Sequence, residues 1–104
     1  GVRIVLGPIT AQQVKKDYAI AELDCIAVKG KTEGVKIYTL AEETMEHRRF
    51  LEAYYKGNWG EAKTLVTVCK EANPLLEKYY DAMAERLAEG KPKNWDGTFR
   101  ATSK

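Results

Sequence analysis

The sequence predicts an α+β fold, on three observations. Two β-branched-rich runs stand close together before residue 41, apolar residues recur at i, i+3, i+4 and i+7 from residue 47 onward, and Gly, Pro or Asn marks the changes of pattern. The 104 residues, 44% of them hydrophobic, suit one small globular body and leave little room for an independent enzyme domain with a deep pocket.

Gly1 to Leu6 is expected as a short strand, because Val2, Ile4 and Leu6 alternate with Arg3 and Val5 before Gly7 and Pro8 stop the run. Thr10 to Gln13 has the spacing of a capping box, in which a hydroxyl and an amide side chain satisfy free N–H groups at a helix start. A short helix to about Asp17 should follow. Asp24 to Lys29 and Val35 to Leu40 read as the arms of a hairpin joined across Gly30 to Gly34.

After Leu40 three helices are expected, on the apolar sets His47/Phe50/Leu51/Tyr54, Ala62/Leu65/Val66/Cys69 and Leu76/Tyr79/Tyr80/Met83. Gly57 is placed to end the first helix, Asn58 with Glu61 to box the second, and Asn73 with Pro74 to open the third, which Gly90 and Pro92 stop. The chain thus divides into a strand-bearing part, 1–40, and a helical part, 41–104. Tyr55 to Ala62, with Pro74 twelve residues on, resembles one tetratricopeptide-type helical hairpin. A single copy does not make a superhelical array, which needs about three repeats.

Composition excludes several functions. Lys and Arg total 17 against 15 Asp and Glu, scattered along the chain, so the net charge of +2 describes no nucleic-acid face. Cys25 and Cys69 stand far apart in apolar stretches, which fits a reduced, cytoplasmic setting. With His47 the single histidine, a zinc site or a Ser-His-Asp triad would have to be built from very thin material, and neither is expected. No apolar run approaches the ~20 residues that span a bilayer, and no signal pattern opens the chain, so no membrane contact by this segment is expected.

Two motifs carry a family resemblance. Ala21-Glu-Leu-Asp-Cys-Ile-Ala-Val-Lys-Gly-Lys-Thr-Glu-Gly-Val-Lys-Ile-Tyr38 is similar to the final hairpin of class III adenylate/guanylate cyclases, where an L-D-x-(I/V)-x-V-K-G-K core leads into a last strand ending in Tyr. Asn94-Trp-Asp-Gly97 resembles the W-D-G signature that closes the C-terminal extension of bacterial members. Val2 to Asp17 fits the strand and helix such enzymes place before the hairpin. The family often has Pro where this chain has Gly34, and two prolines before W-D-G where this chain has Pro92 alone.

The resemblance implies the end of a ferredoxin-like catalytic domain followed by a three-helix extension. It implies a parent enzyme that holds ATP or GTP at a dimer interface with Mg or Mn, and in which the 3′-oxygen attacks the α-phosphate and pyrophosphate leaves. The family's metal-binding aspartates, base-reading residues and transition-state Asn and Arg lie upstream of the hairpin and have no matching position here, so this segment alone is expected to be inactive, with no catalytic and no metal-binding residue of its own. Lys29 matches the lysine that reaches the β- and γ-phosphates. An ammonium on a flexible stem beside Gly30 suits that task, and Lys31 is a second candidate for the same field.

Other residues have simpler explanations. His47 lies on an apolar helix face and reads as a packed histidine. Phe50, Tyr54, Trp59, Tyr79 and Tyr80 recur at helical spacing and read as core rather than a base-stacking platform. Glu42, Glu43 and Glu46 suit a first helical turn better than a metal cluster. Trp95 and Asp96 are expected to pin the tail to the body. Strands without sheet partners also predict self-association, as a homodimer or by strand exchange. The alternative to a cyclase segment is a small tetratricopeptide-like protein-interaction module.

Overall fold

The computed structural model describes residues 4–27 and 33–100. Its elements are α1 (Pro8–Val14), β1 (Ile20–Ala27), β2 (Val35–Leu40), α2 (Met45–Lys56), α3 (Trp59–Ala72), a 3₁₀ turn (Pro74–Leu76), α4 (Glu77–Ala88) and β3 (Phe99–Arg100). The fold is α+β, with a three-stranded mixed sheet in the order β2-β1-β3 and four α-helices. The chain forms two compact units, one holding Ile4–Glu43 with 98–100, the other Thr44–Gly97.

In the strand-bearing unit β1 and β2 form the expected antiparallel hairpin, in register from Ile20 opposite Leu40 to Ile26 opposite Val35. The first arm begins at Ile20 rather than Asp24. A bulge between Glu22 and Asp24 shifts the register at Leu23, so the alternation that marks a strand is broken where β1 starts. Residues 4–6 are not a strand: Leu6 alone bridges to Tyr38, with N–H···O distances of 2.7 and 2.9 Å, and residues 1–3 of the expected strand lie outside the described residues. The helix starts at Pro8 with Gly7 as its cap, and Thr10 stands inside it. Pro8 supplies a helical φ and has no N–H to satisfy, so it opens the helix two residues before the expected capping box. The helix also stops at Val14, and a turn carries residues 15–17.

β3 had no counterpart among the sequence expectations. It runs parallel to β1, Phe99 opposite Ile26 and Arg100 opposite Ala27. Among the described residues, the buried apolar ones of this unit are Ala11, Ala21, Leu23 and Ala27, while Ile4, Val5, Ile9, Tyr18, Val35 and Leu40 are exposed. Three alanines and one leucine make a thin core for a sheet.

The helical unit is packed differently. His47, Phe50, Leu51 and Tyr54 of α2, Ala62, Val66 and Cys69 of α3, and Tyr79, Tyr80, Met83 and Leu87 of α4 are all buried, joined by Trp59 and Leu76. Thr44 caps α2 by accepting from the His47 N–H at 3.1 Å. Gly57 ends it in the left-handed region, φ 90°, as its position in the sequence predicted. Asn58 and Asn73 stand at helix starts, but neither caps with its side chain.

Candidate functional site

Three segments meet at the end of β1 nearest Ala27. Ile26 and Val35 form the last pair of the hairpin, and β3 flanks the same end of β1. Lys29, with Gly30 and Lys31, lies outside the described residues. Around the described part of this end the packing is close. The Sγ of Cys25 lies 3.4 Å from the Oγ1 of Thr98, and a Cβ on Gly34 would fall 2.6 Å from each of those atoms. A larger residue at position 34 would force the Cys25 or Thr98 side chain to shift.

Acidic residues line the other end of β1. Tyr38 spends both backbone groups on Leu6, so Glu22 opposite it bonds elsewhere, and its N–H donates to the Glu43 carboxylate at 3.0 Å. The Glu22 carboxylate meets Lys36, its diagonal neighbour on the same face, at 3.4 Å. Asp24 accepts from the Cys25 N–H at 2.8 Å. Glu43 is therefore a sheet-edge acceptor, whereas Glu46 stands in the first turn of α2 as expected. Among the described residues no group of three or more His, Cys, Asp or Glu is arranged to hold a metal ion.

A second cluster of titratable groups lies inside the helical unit. The Nδ1 of His47 is 2.8 Å from the Tyr80 hydroxyl, which also hydrogen-bonds Cys69, and all three side chains are buried. Burial pushes the Cys69 thiol up to about 11, the Tyr80 hydrogen bond working against this and the charge of Glu46 adding to it. The Tyr80 hydroxyl is likewise raised, by burial first and then by Cys69 and Glu46. These groups hold their protons, which makes Cys69 a poor nucleophile and the cluster a structural bridge across three helices. His47 was read as a packed residue. Its partner, 33 positions away, had no local signal.

The end of α2 is also heavily bonded. Its Tyr54 carbonyl receives the indole N–H of Trp59 at 3.1 Å and that of Trp95 at 2.9 Å, and Trp95 also reaches the Tyr55 carbonyl at 3.1 Å. Two indoles thus add donors at a helix end where the Gly57 N–H already bonds the Tyr54 carbonyl at 3.2 Å. Trp95 pins the tail as expected, half-buried, while Asp96 is exposed. Beside this end, Arg49, Glu52, Ala53, Lys56, Asn58, Glu61 and Leu65 of α2 and α3 line an open groove of about 260 Å³. Among the described residues no helix is long and apolar enough to cross a membrane. Set against protein-family models, curated proteins and solved structures, the chain matches none.

Proposed function

We propose that this chain is the C-terminal part of a class III nucleotide cyclase, whose parent enzyme converts ATP or GTP to the 3′,5′-cyclic nucleotide and pyrophosphate. The observation that carries the reading is the hairpin: the stretch Ala21 to Tyr38, which holds the cyclase-like L-D-x-I-x-V-K-G-K core, folds on a unit that exposes six large apolar residues over a core of three alanines and a leucine. Such a unit is suited to be completed by further sheet, as the last strands of a larger catalytic domain would be. Lys29 follows two residues after the last described residue of β1 and is the group assigned to the β- and γ-phosphates. Its ammonium would offset charge gathering on the departing pyrophosphate. The helical unit braces the domain or meets a partner. Magnesium or manganese, when present in the parent, would supply Lewis-acid charge stabilisation, and the resemblance assigns its ligands to aspartates upstream of the hairpin.

The reading is tested by a chain extended upstream through a whole catalytic domain and assayed with manganese for cyclic AMP and cyclic GMP. Production of either supports it. No product, together with an upstream region lacking paired metal-binding aspartates, ends it. The second reading, a small tetratricopeptide-like interaction module, draws on α2 and α3, with Gly57 at their turn, Ala62 of α3 buried and the open groove beside them. It predicts a further helical repeat or a linker upstream instead.

A further inference from the structure

Trp95 belongs to the helical unit, and so do Tyr54, Tyr55, Gly57 and Trp59, which surround its ring. α4 ends at Ala88, and residues 89–94 turn through Gly90 and Asn94, both at positive φ, to bring the indole to the end of α2. There the indole N–H faces two carbonyls, of Tyr54 at 2.9 Å and of Tyr55 at 3.1 Å. Tyr54 and Trp59 wall the place, their rings edge-on to the indole with centroids 5.2 and 5.3 Å away, an arrangement that the charge distribution of aromatic rings favours. Gly57 leaves room at the base, since a Cβ on it would stand 3.3 Å from the Trp95 Cδ1.

The walls come from α2, α3 and the turn between them, not from the tail. Tyr54 is buried and stacks on both Phe50 and Trp59, at 6.0 and 5.7 Å, so the rings are held whether or not Trp95 is present. The carbonyls lie at the negative end of the α2 dipole, which favours N–H donors, and the Tyr54 carbonyl already accepts one indole, that of Trp59, at 3.1 Å. Aromatic walls and two backbone acceptors suit one ligand chemistry, a flat apolar ring carrying a single N–H. We infer that the α2–α3 turn is a binding site for an indole, which Trp95 fills in cis. The tether through 89–94 supplies Trp95 at an effective concentration in the millimolar range, so an indole from outside enters only when the tail vacates the site. The site does not depend on the catalytic reading, and its test reads stability and proton exchange rather than turnover.

The whole native chain and Trp95→Ala are unfolded by heat with and without a few millimolar indole, the range of the tether. Indole should raise the Tm of Trp95→Ala by roughly 2–3 °C, the shift given by a ligand near its Kd, and leave the native chain, whose site is filled, almost unshifted. N-methylindole, which has the ring but no N–H, should shift neither. No shift of Trp95→Ala with indole overturns the site. An equal shift with N-methylindole overturns it too, because the place would then be an apolar hollow with no use for its carbonyls. An equal shift of the native chain puts the binding elsewhere and overturns it as well. If Trp95→Ala does not fold, the native chain still decides. Its Trp95 indole N–H, identified by NMR as the resonance missing from Trp95→Phe, should exchange with solvent at least roughly tenfold more slowly than that of free indole. Exchange as fast as free indole overturns the site.

Discussion

Replacing Tyr80 by phenylalanine removes one oxygen and keeps the ring that stands edge-on to Phe50 at 6.3 Å. That oxygen joins α4 to His47 of α2 at 2.8 Å and to Cys69 of α3, in a place where all three side chains are buried. Water cannot easily replace it. A buried donor or acceptor that loses its partner costs about 1–3 kcal/mol, against about 0.5–1.5 kcal/mol for a bond whose groups can return to water. The loss should therefore lie near ~2 kcal/mol, which for a unit of this size lowers Tm by roughly 8–16 °C. The assay is urea unfolding followed by the helical circular dichroism signal, on native protein, Tyr80→Phe, His47→Leu and the double variant. The double variant should lose less than the sum of the two singles, by about 1 kcal/mol or more, because the shared bond can be lost only once. A Tyr80→Phe loss within ~0.5 kcal/mol of zero, with additive effects, would refute the argument that this network bridges the helices.

The same cluster sets a response to alkali. The thiol of Cys69 is held at about 11 against an ordinary 9.0, and Tyr80 is shifted upward as well, so below pH 9 both carry their protons whether the chain is folded or not. Above pH 9 the unfolded chain releases these protons first, so stability should fall as pH rises from 9 toward 11, by on the order of 2–3 kcal/mol from Cys69. A Cys69→Ala variant should show a shallower fall over that window, and an unchanged slope in urea midpoint against pH would contradict the assignment. At pH 8 a thiol-specific disulfide reagent should modify half-exposed Cys25 well before buried Cys69 in the folded protein, and equal rates would count against the burial of Cys69. Gly57→Ala forces a side chain onto φ 90° beside Lys91 and Trp95, at 3.3 Å from each, and should cost about 1 kcal/mol or more in the same urea assay.

Much of the helical unit was legible because its signals are local and repeated. The set His47, Phe50, Leu51, Tyr54 follows the i, i+3, i+4, i+7 spacing of one helix face and is buried as a set, and Gly57 stops α2 for a reason visible in one residue. The sheet was less legible. The bulge at Leu23 interrupts the alternation that would have announced β1 at Ile20. β3 is two residues long, too short to show a period, and its partners Ile26 and Ala27 lie far away in the sequence. At the start of α1 two cap signals compete, and Pro8 prevails over Thr10 because it needs no bond to open a helix. For the candidate site, the packed state of His47 could be read from its helix face, but the Tyr80 partner is a tertiary choice. The assignment of Lys29 rests on the motif around it.

The most direct measurement of the central claim is the turnover of the upstream-extended enzyme carrying Lys29→Ala, beside Lys31→Ala and the unmodified chain. With saturating nucleotide and manganese, the account predicts that Lys29→Ala lowers the rate of cyclic nucleotide formation roughly tenfold or more, equal to ~1.4 kcal/mol of lost transition-state stabilisation, while Lys31→Ala loses much less. Full activity in Lys29→Ala, or equal losses in both variants, would contradict a specific phosphate contact by Lys29.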